Sequence, residues 1–449
     1  MSASSIAARS SRGKALKGRI RVPGDKSISH RSLILGLLSI GETHITGLLE
    51  GDDIKHTAAA CQALGASVIR KAEGNWIIKG AGIGGLREPE AKLDFGNAGT
   101  GSRLMMGVTG SHPIITTFDG DESLRLRPMK RILDPLILMG TRILSQNEGE
   151  RLPLTIQGPD MTIPLTYTLP VPSAQIKSAI LLAGLNSPGI TTIIEPQPSR
   201  DHTERMLSLF GAQISCEKQD MGGNIITLQG QPELHGCTIE VPSDPSSAAF
   251  PLVAALIIPG SDIILENIMM NPARTGLIRT LLDMGADITC INEREVSGET
   301  VADLHIRHSS LKGVDVPAER APSMIDEYPV LAVAAAFAQG TTTMHGLHEL
   351  KVKESDRLAA ISQGLEQVGV PHEIKGDDLI VEGLNGEVPG GGEAVRTWLD
   401  HRIAMSFLVL GLASRKPVMI DDIAMIATSF PAFIPLMQQM GADIELSNR

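Results

Sequence analysis

Aromatic side chains make up only 3% of the 449 residues, so the cores of this chain must be packed from Leu, Ile, Val, Ala and Met. Cysteine is scarce. The four present, Cys61, Cys216, Cys237 and Cys290, include no CxxC pair, which argues against a zinc site and against a disulfide framework and fits a reducing cytoplasm. No apolar run reaches the length of a membrane span. Basic residues are outnumbered by acidic ones, 40 to 51, and the net charge of -11 makes the bulk surface repel nucleic acid and anionic membranes. Any site for an anion must therefore be a local concentration of positive charge. The first 19 residues contain no acid and are rich in Ser, Arg and Lys, which raises a transit peptide. They lack an amphipathic apolar face, and the expectation is a disordered tail.

Against these absences stands a sixfold repeat. A short polar or Gly-rich cluster opens into an apolar run at Gly24, Gly96, Pro172, Ser243, Ile325 and Asp400. Each copy continues with a strand-like segment, a second polar cluster and a second helix that closes on a glycine. Those glycines are Gly65, Gly140, Gly211, Gly285, Gly369 and Gly441, a spacing of roughly 75 residues that is too regular for chance. The helices alternate with β-branched segments such as THITGLL and ITTIIEP, which gives an α/β class.

The length exceeds what one core usually organises, and six units divide into three plus three. Ile20-Arg21-Val22-Pro23 and Ile239-Glu240-Val241-Pro242 read alike, so an equivalent strand enters each half and both places are candidate crossovers. Residues 23–241 are expected to form one domain, and 1–22 plus 242–449 the other, with helix termini facing a shared ligand cleft. Basic residues recur at the helix mouths: Lys26 and Arg31, Arg103, Arg127, Lys177, Arg200, Arg274, Lys353 and Arg357, and Arg402. Helix N-termini attract anions, and this recurrence turns an ordinary cap into an expected anion site.

Several clusters carry candidate chemistry, and each has a plainer alternative. Asp25-Lys26-Ser27-Ile28-Ser29-His30-Arg31 suits a doubly charged oxyanion, or is an N-cap followed by a solvated basic face. Gly96-Asn97-Ala98-Gly99-Thr100-Gly101 lets backbone N–H groups approach a ligand, or is a plain turn. It is not a GxGxxG loop, and GxxxxGK[ST] is absent, so a nucleotide phosphate site is disfavoured. Arg125-Leu126-Arg127-Pro128-Met129-Lys130-Arg131 sets basic residues around a Pro expected in a helix's first turn, as part of a site or as a basic helix start on the surface. Ser173 and Gln175 can cap a helix and also donate to a ligand. Ser199-Arg200-Asp201-His202-Thr203-Glu204 has a capping pattern that accounts for the Ser and the acids but not for Arg200. Asp326 and Glu327 precede a very apolar helix, where they serve as caps or as functional acids. Lys351-Val352-Lys353-Glu354-Ser355-Asp356-Arg357 in isolation reads as a solvated charge run. His401 is a general-base candidate or a hydrogen-bonded structural histidine.

Taken in order, GDKSISHR, LDFGNAGTGSR, RPMKR, PSAQIKSA, SRDHTER, IDEYP, KVKESDR and DHRIAM resemble the 5-enolpyruvylshikimate-3-phosphate synthase family across nearly the whole chain, in detail its bacterial class II branch. The resemblance implies two domains of three βαβαββ units each, an inside-out α/β barrel arrangement closing on substrate by a hinge. It implies transfer of the enolpyruvyl group of phosphoenolpyruvate to the 5-hydroxyl of shikimate 3-phosphate, with release of phosphate, on the route to chorismate. Carried onto this sequence, Lys26 touches both substrates. Ser27, Arg31, Ser173, Ala174, Gln175, Arg200, Asp326 and Lys353 hold shikimate 3-phosphate, while Gly99, Arg127, Gln175, Arg357 and Arg402 meet phosphoenolpyruvate. Asp326 is the implied base for the 5-hydroxyl, and Glu354 with Lys26 serves proton traffic at the methylene carbon. No metal or cofactor is implied, and the expected state is a cytoplasmic monomer without nucleic-acid or membrane partners.

Two departures stand out. Many relatives place a Lys before a C-terminal Ser/Thr-Phe-Pro, whereas this chain has Thr428-Ser429-Phe430-Pro431. Gly99 stands where some herbicide-tolerant class II relatives have Ala, which implies greater sensitivity to glyphosate. Two other readings compete with this one. The related UDP-N-acetylglucosamine enolpyruvyl transferase is disfavoured because no Cys lies in a Gly-rich loop. The second is a catalytically silent protein that binds phosphate metabolites.

Overall fold

The computed structural model describes residues 6–220 and 222–448. Cα packing divides the chain into two compact units, one of residues 24–241 with 296–299, the other of residues 1–23, 242–295 and 300–449. The expected α/β class is what forms. Six four-stranded sheets share one topology, in which an edge strand runs parallel to its neighbour and the remaining strands are antiparallel. None of the six closes into a barrel among the described residues.

The first five copies run strand, helix, strand, helix, strand, strand, with an extra short helix Glu122–Leu126 in the second, and the sixth ends on a single strand after its second helix. The first helices are Lys26–Leu38, Gly99–Thr109, Ala174–Gly184, Pro245–Ile257, Tyr328–Ala336 and His401–Gly411. They are buried nearly all round, and every residue of Pro245–Ile257 and Tyr328–Ala336 lies inside, as uniformly apolar helices require. In the unit that contains them, Pro245–Ile257, Tyr328–Ala336 and His401–Gly411 pack on one another. In the other, Gly99–Thr109 packs against both Lys26–Leu38 and Ala174–Gly184. That approach is close at Gly107, where a Cβ would lie 2.3 Å from the Ala179 carbonyl oxygen.

The second helices are amphipathic and half-buried, and each of Asp52–Ala63, Lys130–Leu138, His202–Leu209, Gly276–Asp283, Arg357–Gln367 and Phe433–Gln439 ends in the same way. The closing glycine takes a positive φ, from +74° at Gly369 to +112° at Gly65. Its N–H and that of the next residue bond back into the last turn, as Gly65 to Gln62 and Ala66 to Cys61. Six repetitions of this Schellman geometry explain why glycine marks the repeat.

The two Ile-x-Val-Pro strands are exchanged. Lys17–Ile20 opens the first repeat in sequence but pairs parallel with Asp262–Met269 of the fourth. Thr238–Glu240 opens the fourth but pairs parallel with Glu42–Thr46 of the first. The expected disordered N-terminal tail is corrected from residue 6 onward. Ile6–Ser11 is a strand between Val418–Ile420 and Asp443–Asn448, completing the sixth sheet. Its buried residues, Ala7, Ala8 and Ser10, are small and do not alternate cleanly with exposed ones, so the basic residues around it mask the strand in sequence.

Candidate active site

Unit 24–241 gathers the mouths of its three first helices. Asp25 caps the first through a 2.8 Å bond from the Ile28 N–H, and Lys26, the first helical residue, pairs with Asp53. Arg31 lies one turn deeper and is almost fully buried. It donates to Thr203 Oγ1 at 2.6 Å, Ser178 Oγ at 2.8 Å and the Ser27 carbonyl at 3.0 Å. The alternative of a solvated basic face is thereby excluded for Arg31. His30 is buried with Nδ1 2.8 Å from Thr57 Oγ1. Burial first, then the charges of Lys26 and Arg31, push its pKa well down.

In the Gly-rich segment, Asn97 Oδ1 accepts from Arg127 at 2.6 Å, and Thr100 Oγ1 accepts from Gln175 Nε2 at 3.0 Å. Gln175 Oε1 in turn accepts from Arg103 at 2.8 Å. The loop is therefore held by Arg127 at Asn97 and by Gln175, itself fixed by Arg103, at Thr100, and is more than a plain turn. Gly99 is the first residue of its helix, and a Cβ there would lie 3.1 Å from Arg127 Nη1. Ser173 is an N-cap that accepts from the Ile176 N–H, and Ala174 opens the helix behind it. Arg200 precedes the Asp201 N-cap and is partly exposed.

The other unit assembles the acids. Arg357 is the first residue of its helix, and its side chain is 1% exposed, yet it meets three carboxylates. It donates to Asp400 Oδ2 at 2.8 Å, to Asp326 Oδ1 at 3.1 Å and to Glu354 Oε2. Burial alone would lower the Arg357 pKa, but Asp400, Glu354 and Asp326 outweigh it and hold the guanidinium above its ordinary range. Burial likewise opposes ionisation of Asp400, and Arg357 overcomes it, leaving that carboxyl below its usual range. Lys353 Nζ lies 3.7 Å from Asp326 Oδ1, and Arg402 donates to the Asp326 carbonyl at 3.2 Å. The supposed charge run from Lys351 to Arg357 is thus half of a built cluster. Asp326, Lys353, Glu354, Arg357 and Arg402 all belong to it.

Some expectations are corrected. Lys177 is no helix-mouth cation for a ligand: it is 1% exposed and bonded to Glu204 at 2.7 Å and Glu195 at 3.0 Å. Burial is outweighed by those acids, and its pKa rises. Arg274 is likewise buried, donating to Asp244 at 2.8 Å and Ser246 at 2.9 Å. Ser199 and Asp201 do not cap their helix by side chain; Ser199 donates to Glu195, and Asp201 accepts from Arg205 at 2.8 Å. Glu327, an N-cap by position, makes no side-chain cap bond either. Pro128 lies just before the Met129 N-cap of Lys130–Leu138, outside the first turn, while Arg127 closes the short helix Glu122–Leu126. His401 is buried at its helix start. Sequence reasoning misses Asp53, Asn97 and Asp400 as partners of Lys26, Arg127 and Arg357. Only Asp400 leaves a signal, as an N-cap acid directly before His-Arg.

Six copies of one α/β unit, with Lys, Arg and carboxylates concentrated at helix N-termini, define a repeat-built enzyme for small anionic substrates. The family model described as EPSP synthase (3-phosphoshikimate 1-carboxyvinyltransferase) matches residues 11–446. A 3-phosphoshikimate 1-carboxyvinyltransferase of Methylorubrum extorquens is 66% identical over 435 residues, which is 96% of this chain and 96% of the relative. That of Rhodopseudomonas palustris is 62% identical over 429 residues, again 96% of each. A solved EPSP synthase from Acinetobacter baumannii superposes with a TM-score of 0.88 at 43% identity, covering 98% of this chain and 100% of that one. The chain belongs to the EPSP synthase family.

Proposed function

We propose that this enzyme transfers the enolpyruvyl group of phosphoenolpyruvate to the 5-hydroxyl of shikimate 3-phosphate, releasing phosphate, and that it is of the class II bacterial type. The observation that carries this reading is the meeting of Asp326 and Glu354 on one buried guanidinium, Arg357. Addition of the hydroxyl oxygen to C2 of phosphoenolpyruvate removes a proton from oxygen and adds one to the methylene carbon. Elimination removes a methyl proton and expels phosphate from the tetrahedral intermediate. Such a course needs proton carriers within a strongly cationic setting. Asp326 acts as base for the hydroxyl, and Glu354 with Lys26 serves the methylene carbon.

The substrates bring about five negative charges, counting each phosphate at about -1.5 to -2. Lys26, Ser27, Arg31, Ser173, Ala174, Gln175, Arg200, Asp326 and Lys353 hold shikimate 3-phosphate in this reading. Gly99, Arg127, Gln175, Arg357 and Arg402, with Lys26, take phosphoenolpyruvate. The networks that fix Arg31, Arg127 and Gln175 support it, because donors held in place before binding lose little entropy on binding. We assign residues 23–241 and 1–22 plus 242–449 as the two three-repeat domains, and the active form as a cytoplasmic monomer. No described helix is long and apolar enough to cross a membrane.

The test is phosphate release from phosphoenolpyruvate by the purified protein with a chelator present. Release with shikimate 3-phosphate and none with UDP-N-acetylglucosamine is the expected result. Release with the nucleotide sugar alone, or substrate binding without release, would overturn the proposal.

A further inference from the structure

Arg357 and Arg402 are held in different ways. Arg357 makes hydrogen bonds to three carboxylates, so its orientation is set. The Arg402 side chain makes none to a carboxylate among the described residues; only its backbone N–H does, to Asp400 Oδ1 at 2.9 Å. Its Nη1 donates to the Asp326 carbonyl at 3.2 Å, and the nearest acid, Glu327 Oε1, stands at 3.6 Å, beyond hydrogen-bond reach. Glu327 is 2% exposed, and neither of its carboxylate oxygens accepts a hydrogen bond among the described residues. It sits at the N-cap position of Tyr328–Ala336 without bonding that helix's free N–H groups.

A buried carboxylate without donors is costly, and natural proteins usually satisfy or remove it. Here the compensation in view is the charge of Arg402, across a gap too wide for the guanidinium fork to hydrogen-bond the carboxylate. A carboxylate or phosphate of a ligand fits that fork with two parallel hydrogen bonds, which Glu327 does not achieve. Glu327 is thus placed to be the weaker of two anions that Arg402 can serve.

Resting on the reading that Arg402 binds phosphoenolpyruvate, we propose that Glu327 is a positioning residue and internal competitor for Arg402. It holds the guanidinium while the site is empty and keeps anion affinity low enough for phosphate to leave. Its absence makes anions bind more tightly, which is opposite to what structural damage does.

The experiment compares the wild type with Glu327→Gln and the apolar Glu327→Met, each checked for folding by circular dichroism. Steady-state kinetics are read for both substrates, and inhibition by added inorganic phosphate is measured. In both variants the KM for phosphoenolpyruvate and the phosphate inhibition constant are expected to fall about fivefold, the scale of removing one partly screened charge from a buried site. The expected change in KM for shikimate 3-phosphate is less than about twofold, because Arg402 is not among its ligands. A KM for phosphoenolpyruvate that rises or stays unchanged in either folded variant overturns the inference. Wild-type turnover in the same assay keeps the questions apart, since its absence overturns the assigned reaction and its presence with an unchanged variant overturns only the role of Glu327.

Discussion

Asp326 and Glu354 precede the two successive helices of the fifth repeat, 28 positions apart by their numbers, yet both reach the guanidinium of Arg357. Removing either charge leaves the Arg with Asp400 and the remaining acid, so the cluster survives while a proposed proton carrier is lost. Asp326→Asn and Glu354→Gln are each expected to lower kcat by about 100-fold or more, with both KM values within about fivefold. Unchanged kcat in either variant would remove that residue from the reaction. Gly99 gives a second prediction of this kind. A methyl there would stand 3.1 Å from Arg127 Nη1, so the guanidinium must give by a few tenths of an ångström. Gly99→Ala is expected to raise the glyphosate inhibition constant about tenfold and the KM for phosphoenolpyruvate by less. Equal inhibition of both proteins would refute the steric argument. In the sequence Gly99 and Arg127 belong to separate motifs. That one crowds the other depends on Asn97 drawing Arg127 across the helix mouth.

Among the helices and strands, the apolar first helices and the glycine-closed second helices are both legible in the sequence, because each depends on local pattern and on one backbone conformation. Gly285 tests the second feature cleanly, with a φ of +88° and nothing within 4 Å of a built Cβ. Gly285→Ala meets no clash, only the left-handed backbone, and should cost about 1–2 kcal/mol. The check is a lowered urea midpoint at unchanged slope, with kcat as in the wild type. What the elements do not announce is their polar wiring. Lys177 occupies a place in its repeat comparable to the site cations, yet it closes a buried pair with Glu195 and Glu204. Spacing along one helix cannot tell a ligand cation from a buried one, because the deciding acids lie on a strand and on another helix.

For the molecule as a whole, the pH dependence of stability follows from which groups folding has shifted. His30 is held well below its ordinary value of 6.5, so below that pH the unfolded chain binds a proton that the folded chain refuses. Stability is therefore lost as pH falls through about 6.5. A second loss follows in acid. Asp119, bonded by Arg125 at 2.8 Å and by Lys92 at 2.6 Å, is held below its ordinary range, chiefly by Arg125. A depressed carboxylate stabilises above its unfolded pKa of about 4, and that contribution disappears as pH falls toward its folded value. His30→Gln should flatten the stability profile between about pH 5 and 7 and leave the steeper loss below about 4 in place. Urea denaturation across pH reads both windows, and a His30→Gln profile parallel to the wild type would refute the first.

The sixfold repeat, the α/β class, the helix mouths and the family can all be read from the chain before it folds, because period, backbone conformation and motif order are properties of neighbouring residues. Which charges stay partly exposed at the helix mouths and which are consumed inside is settled only when the chain packs. Lys26 and Lys177 begin with the same side chain near a helix start, and Asp326 and Glu327 with adjacent carboxylates. Their different fates rest on partners distant along the chain and brought near by packing, and in a low-dielectric interior those partners decide what a charge can do.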